Sequence, residues 1–491
     1  MLMTLTYFSL SAQTFTPVPV VVGKIDKIGF SPADRTAFNG VTVRVTNPST
    51  GYNCQTLTQN YTNFPKIPVN QPLISQFFLK KNGVFYCEMP SVIDNAPTPI
   101  QIFPSRNWDW LNGVTTFDLV EIRKHVLNLQ LLDTYNRLIA ADVNFSKSIT
   151  SFDLSILQGL ILGNSTGSGL PSESWEFIDE YPLSTVTPSG LVASPSGIAI
   201  LNNTPFTAPL YPWGLLSDGN HTVNYPALNG PVVFPTTIQA IKMGDVNGSS
   251  TIPGAAPQGS DRIAKSIVQS SNPLKKGDVV EISVSADNFS QIVGMQFGLK
   301  FDTDYLKLLK IEKGSIPSLS LRDNFGLDSL AKGEIRVVWT EENLTPTHLG
   351  TSDKMMLLKF EVTQDLDNVA NVLVVSDRVL PMEFSEMNKV VNDVILNLNN
   401  NTYTVEANSV IAYPNPFNET LSFRIQAKEY ANASITFFDA SGRVVLEEKN
   451  KVSEGVNWMN IENSNALPTG LVLYTIQIGD EITRGKIFKL K

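Results

Sequence analysis

The chain has 491 residues, 42% hydrophobic content and a formal net charge of −9. That length supports three or four domains, each with its own core, and the acidic balance excludes nucleic acid as the main partner, because phosphate recognition needs a basic face. No apolar run reaches the ~18 residues of a membrane-crossing helix, so no transmembrane span is expected.

Charge is unevenly spread: 29 Asp, Glu, Lys and Arg residues fall in 1–250 and 54 in 251–491. The first half is rich in Asn, Thr, Ser and Pro, which suits loop-rich extracellular modules. The 30 Pro and 31 Gly residues along the chain indicate many short strands and turns. The expected fold is mainly β and multidomain, with Ig-like β-sandwiches separated by a small α-helical, duplicated loop–helix module. Residues 1–17 begin with an apolar Met1–Phe8 run that no Lys or Arg precedes. They read as a weak signal segment or as a start inside a longer gene, and the second reading is preferred.

Residues 18–105 read as a β-sandwich, with Val20–Ile25, Val41–Val45 and Gly83–Cys87 as strands between Pro/Asn/Ser/Gly turns. Their pattern is similar to prealbumin-like repeats.

Residues 106–250 hold an internal repeat, in which Asn112–Leu119 is answered by Lys147–Leu154 at an offset of 35 residues. Each Asp (Asp118, Asp153) opens an apolar trio at helical spacing: Leu119, Ile122 and Val126, then Leu154, Leu157 and Ile161. Steps of three and four put each trio on one helical face, so the two helices can pack together. This loop–helix duplication resembles the dockerin type I module, which implies EF-hand-type Ca2+ loops with oxygen ligands at positions 1, 3, 5, 7, 9 and 12. In the second loop these are Asp142, Asn144, Ser146, the carbonyl of Ser148, Thr150 and Asp153. Lys147 stands at position 6, where Gly normally makes the turn, and this should weaken binding. Counting back from Asp118 gives Asn107, Asp109 and Thr115 in the first loop, with Asn112 replacing the oxygen that Leu111 lacks. Two carboxylates per loop place the expected affinity on the order of 0.1–1 mM; a metal-free pair of Asp-capped helices is the alternative. A third Asp-x-Asn, Asp245–Asn247, would meet Ala256 at position 12 and is read as a turn or closing segment. Residues 165–240 read as a loop-heavy extension anchored on the helices by Trp175, Phe177, Tyr211, Trp213 and Phe234.

Residues 251–265 form a linker, and 266–400 a second sandwich with alternating strands at Val279–Val284, Gly294–Asp302, Gly333–Trp339 and Met356–Val362. This succession resembles a cohesin-like domain, in the wider group that includes carbohydrate-binding modules. Trp339 lies within a Val-rich strand and is read as core rather than as a sugar platform.

Residues 405–491 carry Pro414, Asn415, Pro416 and Phe417, then Gly442 and Arg443, then Leu467, Pro468, Gly470 and Tyr474, and finally Gly485 and Lys486. Alternation through Leu421, Phe423 and Ile425 marks strands with one buried face. The motif series, in this order, resembles the type A C-terminal sorting domain of the type IX (Por) secretion system. The resemblance implies the type IX machinery as a partner, passage through the periplasm, and a secreted or outer-surface destination. Export into an oxidising compartment would in turn pair the two cysteines, Cys54 and Cys87, with two separate buried thiols as the alternative.

Only three histidines occur, and no nucleophile elbow, HExxH, Walker loop or dinucleotide fingerprint is present. His125 is placed near the surface of its helix. Glu341-Glu342 and Glu447-Glu448 are read as solvated charge at strand ends and turns. The chain is therefore expected to be a non-enzymatic, secreted or surface modular protein whose dockerin-like and cohesin-like parts serve protein–protein or adhesion contacts, self-association included. The alternative is an accessory polysaccharide-binding protein, or the C-terminal part of a larger carbohydrate-active enzyme.

Overall fold

The computed structural model describes residues 20–28, 35–47, 51–59, 82–88, 99–107, 109–164, 174–179, 193–194, 197–198, 221–224, 233–252, 261–262, 267–268, 273–403 and 409–490. The expectations for 1–17, and for Tyr211 and Trp213, fall outside them, as does the side chain of Phe234. Two compact units emerge: the first comprises 1–113, 133–148 and 171–255, the second 114–132, 149–170 and 256–491.

In the first unit, Val20–Ile28 runs parallel to Val233–Lys242 and antiparallel to Val84–Glu88 and Arg35–Ala37, while Trp175–Asp179 flanks Val233–Lys242. A second sheet orders His221–Asn224, Pro99–Ser105, Thr42–Asn47 and Tyr52–Leu57. The core between them contains Ile25, Phe38, Val43, Val45, Phe85, Ile102, Trp175, Phe177 and Ile238. This corrects the expected packing of Trp175 and Phe177 onto the helices. Trp175 and Phe177 alternate along a strand of this sandwich, and the Trp175 ring lies 4.6 Å from that of Phe38. The sandwich is therefore closed by strands that follow the helical repeat in sequence.

Among the described residues three α-helices are formed: α1 (Thr116–Val126), α2 (Tyr135–Ala141) and α3 (Ser151–Leu162). The repeat predicts α1 and α3; α2, short and without a matching apolar trio, escaped it. In the first unit α2 is held by Gly244 N–H donating to Ala140 O at 2.7 Å and by Arg137 Nε donating to Val246 O at 3.0 Å.

The second unit holds α1, α3 and two sandwiches. In the first sandwich, Ile395–Tyr403, Val279–Asp287, Lys354–Val362 and Leu306–Lys313 form consecutive antiparallel pairs. They face a sheet built on Leu373–Ser376, Gly294–Phe301, Glu334–Thr340 and Phe325–Gly326, with Glu383–Ser385 alongside. Trp339 is 1% exposed in the core, and its Nε1 donates to Pro317 O at 3.1 Å. The Glu341 carboxylate accepts from Asn343 N–H and Thr345 N–H, at 2.8 and 2.6 Å, so it caps a turn. Glu447 and Glu448 lie inside the strand Val444–Val452 rather than at a strand end.

The C-terminal sandwich stacks a three-stranded sheet (Val410–Tyr413, Leu421–Ala427, Gly455–Ile461) on a four-stranded one (Val444–Val452, Ala431–Phe438, Gly470–Ile478, Glu481–Lys489). A buried ion pair joins it to its neighbour: Arg424 Nε meets Glu361 Oε1 at 3.2 Å, and Arg424 Nη2 donates to Gly277 O at 3.0 Å. Beside it, Lys307 Nζ sits 3.2 Å from the Trp458 ring centroid and 4.5 Å from that of Tyr413. Burial lowers the Lys307 pKa, with Glu361 opposing the shift.

Cys54 and Cys87 form a disulfide with Cα atoms 6.1 Å apart and a sequence separation of 33 residues. Replacing both with Ala should destabilise the first unit by about 3–4 kcal/mol through the regained freedom of that loop. Calorimetry of the full chain should show the loss in one transition, and an unchanged thermogram would contradict it.

Candidate interaction site: a helix pair on a sheet

The sequence dictates how α1 and α3 begin. Thr115 and Thr150 are extended N-caps, and each accepts from the amide of the Phe two residues on, at 3.3 and 3.2 Å. Asp118 and Asp153 return the bond to the cap amide at 2.9 Å in both helices. These capping boxes satisfy two otherwise orphaned amides per helix and put negative charge at the positive end of each helix dipole. Four residues read as ligand positions 9 and 12 thus have a structural duty in the helix starts. Leu119, Ile122, Leu154, Leu157 and Ile161 are buried, and α1 packs on α3 as the spacing predicted. His125 is buried too, against expectation: Leu132 N–H donates to its Nδ1 at 3.0 Å, closing the turn after α1.

What the sequence did not reveal is that both helices sit on the outer face of the Gly294–Phe301 sheet. Met295, Phe297 and Leu299 point inward to the core. Gln296, between them, points outward and is still only 1% exposed. Its Oε1 accepts from both Thr116 N–H and Thr116 Oγ1 at 2.9 Å, while its Nε2 donates to Pro381 O at 3.0 Å. Glu383 Oε1 accepts from Phe117 N–H at 3.1 Å. The first turn of α1 therefore gives its free amides to two acceptors on the sheet. Val120 packs with Val293 and Leu344, Arg123 donates to Thr340 Oγ1 at 3.0 Å, and Lys124 to Asn388 Oδ1 at 3.0 Å.

The C-terminal end of α3 is met by the opposite charge. Arg336 Nη1 donates to Ile161 O at 3.2 Å, and Gln158 Nε2 donates to Asp323 O at 2.6 Å. Acceptors at one helix N-terminus and a guanidinium at the other's C-terminus match the two dipoles. Close approach needs bare backbone: a Cβ on Gly326 would lie 2.0 Å from Leu162 O, and one on Gly294 would lie 3.0 Å from Val120 Cγ2. The small and polar outward series Gly294, Gln296, Gly298 was a legible signal, since glycines in a strand mark a neighbouring backbone. Burial raises the Glu383 pKa against the bonds from Thr115 and Phe117, and lowers those of Arg123 and Arg336.

The first unit holds two turns of the same design. Asp142 accepts from Ser146 N–H and Lys147 N–H at 2.9 and 2.7 Å, and Asp245 from Ser249 N–H and Ser250 N–H at 3.0 and 2.8 Å. Asn144 and Asn247 each accept from the same Ser amide at 2.8 Å. Ser146 Oγ donates to Ser148 O at 3.0 Å, and Ser249 Oγ donates to Gly113 O at the same distance. The true counterpart of the Asp142 turn is thus Asp245–Ser250, which reaches back to the chain just ahead of α1. From the sequence, Asp245–Asn247 reads as a turn or closing segment, and the amides bonded to Asp245 make it a turn. Of the first-loop residues read from the sequence, Asn112 is committed to the Thr251 backbone at 2.7 and 3.0 Å, Asp109 is exposed with φ +61°, and Asn107 is exposed. Lys147 has φ +67°, the strained turn foreseen at that position.

The C-terminal motif residues come together around the last strand. Asn415 accepts from Phe488 N–H at 3.0 Å, Phe417 N–H donates to Phe488 O at 2.9 Å, and Leu490 N–H donates to Phe417 O at 2.7 Å. Pro414 and Pro416 both follow cis peptide bonds. Tyr474 covers Gly485, where a Cβ would fall 2.3 Å from the ring. Leu467 is core, Pro468 lies in the turn before Gly470, and Gly442 and Gly470 have φ of +83° and +100°. Asp439 accepts from Arg443 N–H and Nε at 3.0 Å, and its pKa is lowered to about 2, chiefly by the Ser441 hydroxyl. Lys486 lies on the exposed side of the last strand, and its carbonyl accepts from Asn415 Nδ2 at 3.4 Å.

Residues 264–398 match the model of the cohesin domain, and residues 411–489 match that of the secretion system C-terminal sorting domain. No curated protein matches the chain. Among solved structures, dimeric latent PorU from Porphyromonas gingivalis is 9% identical over 97% of this chain and 32% of its own, with a TM-score of 0.17. The chain thus spans about a third of that protein's length. A tetra-tandem repeat from the extending region of a large adhesion protein is 8% identical over 96% of this chain and 99% of its own, with a TM-score of 0.14. The RrgB pilus protein of Streptococcus pneumoniae is 10% identical over 97% and 68%, with a TM-score of 0.15. At TM-scores of this size no shared architecture follows.

Gln296→Ala leaves Thr116 N–H and Oγ1 without their acceptor and should cost about 2–4 kcal/mol, measured by denaturant unfolding of the full chain. Because burial raises the folded pKa of Glu383, its contribution is fully present below the ordinary carboxylate range and is lost as pH rises through the folded value. Glu383→Gln keeps an acceptor without the charge. It should therefore match or exceed the parent's melting temperature at pH 8 and flatten the slope between pH 5 and 8. A steeper slope in the variant would refute that assignment.

Proposed function

We propose that this chain, which carries a cohesin domain followed by a secretion system C-terminal sorting domain, is a displayed, non-catalytic contact protein whose cohesin sheet grips a dockerin-like helix pair. The sorting domain directs the protein through the type IX machinery to the cell surface or the medium, and the cohesin domain implies protein partners. The observation that supports the finer reading is the fit of α1 and α3 to the sheet, where Gln296, Glu383 and Arg336 meet helix ends. In that contact Glu383 and Arg336 are spent on helix ends.

Calcium belongs to this proposal as a stiffener of the helix pair's loop. The Asp142–Asp153 loop offers oxygen donors at every ligand position, the set that suits a hard cation. Its first carboxylate is already folded around the turn by two amides. Positive φ at Lys147 and its charge argue for weak affinity. The first loop read from the sequence is the poorer candidate, since Asn112 is engaged by Thr251.

Removing 411–489 should strand the protein in the periplasm. Fractionation that still finds it outside the cell would refute the sorting assignment. At ~10 mM Ca2+, a site of 0.1–1 mM affinity should add about 1.5–3 kcal/mol to stability. Calorimetry with and without chelator measures this, and Asp142→Asn should abolish the difference. Identical curves in the parent would remove calcium from the account.

A further inference from the structure

The helix-receiving face of the cohesin sheet is occupied by segments of the same chain, and we propose that this closure in cis is the resting state of the protein. In that state the face is withheld from other molecules, and a foreign helix pair gains access only by displacing α1 and α3. The inference rests on the reading of this module as a protein-contact module and adds how its contact face is regulated.

Three observations carry it. First, the contact is built rather than incidental. Gln296 is buried and uses its oxygen twice on Thr116 while its amide is tied to Pro381. Second, the sheet is carved to the helices' backbone: Gly326 has no room for a Cβ beneath Leu162 O, and Gly294 makes space for Val120. Third, polar groups taken out of water on both sides are matched. Phe117 N–H finds Glu383, Arg123 finds Thr340, and Arg336 finds the Ile161 carbonyl. Removing the helices would strip Gln296 and Glu383 of donors and uncover Val293 and Leu344. A bare face is therefore the costly state.

Tethering decides between this chain's own helices and those of a second copy. A segment on the same chain competes at an effective concentration on the order of millimolar. A separate copy at micromolar concentration offers the same contacts with a far smaller share of occupancy. Closure in cis therefore wins unless the protein is very concentrated or the pair is pulled away.

The test is a cross-link in the full chain. Val120→Cys with Gly294→Cys places two thiols where Val120 Cγ2 and a Gly294 Cβ would be 3.0 Å apart. Mild oxidation at protein concentrations from ~1 to ~100 μM should give a monomer carrying an internal 120–294 disulfide at every concentration, assigned by peptide mapping apart from Cys54–Cys87. A covalent dimer that grows with concentration would overturn closure in cis while leaving the contact reading standing. A folded variant that forms no link would overturn both.

Hydrogen exchange on the unmodified chain gives a second readout. The Thr116 amide is a first-turn donor with no partner inside its helix, so its protection reports docking on Gln296. It should exchange on the order of 100-fold more slowly than in Gln296→Ala, independently of dilution. Protection that fades on dilution would point to a partner copy and overturn the proposal, as would fast exchange in the parent.

Discussion

The second unit depends on one demand: the first-turn amides of α1 must find acceptors away from water. A helix buried at its N-terminus carries free N–H groups that its own backbone cannot satisfy. Thr115 and Asp118 answer part of that demand locally. Gln296 answers it at Thr116, and Glu383 adds a second acceptor at Phe117. Once those bonds are fixed, the register of α1 on the sheet is fixed too, and Val120 must fall over Gly294. The placement of α3 follows from its packing on α1 and from the Arg336 bond at its far end. Polar groups set the position here, and apolar packing fills around them.

The same logic recurs where the two sandwiches of that unit meet. Arg424 is 1% exposed and lies among strands, so its charge needs a partner at once. Glu361 supplies it, and the Gly277 carbonyl takes a further donor. Removing one member of a buried pair usually costs more than the pair contributes, because a lone charge is left in a poor solvent. Lys307 is handled differently: its ammonium rests on the faces of Trp458 and Tyr413, with Glu361 nearby. The sorting domain is thereby fastened to the cohesin domain through specific charged groups. Its own motif residues, Asn415 and Phe417, are spent on holding the final strand.

Much of this was legible in the sequence, for physical reasons that can be named. Alternation marked the strands because one face of each is buried, and the Thr-x-x-Asp repeat marked two helix starts because the cap chemistry is local. The trio Leu154, Leu157, Ile161 gave the face that α3 buries. The misses that shape the packing were non-local. Trp175 closes a sandwich whose other strands lie mostly before the helical repeat, and no period in the sequence announces that return. Gln296 looks like an ordinary outward polar residue; only Gly294 and Gly298 beside it hint at a neighbour. His125 carries nothing in its own segment to foretell that Leu132 N–H folds back onto its ring.

The two Asp-x-Asn turns show how far a duplicated design can diverge while its backbone stays the same. Asp142 and Asp245 each receive two amides at nearly the same distances, and each is followed by an Asn that receives one. Their surroundings differ in charge. At the second turn, the Lys27 ammonium donates to the carbonyls of Ser250 and Gly248, and Asp245 pulls the Lys27 pKa up against the larger lowering by burial. A buried ammonium beside the carboxylate supplies the positive charge that a divalent ion would otherwise bring, and it would repel that ion. The Asp142 turn carries its Lys at position 147 within the loop itself, where φ of +67° also departs from what a side chain prefers. The Asp245 turn has become a strut that ties the end of the first sandwich's last long strand to Gly113 and Asn112.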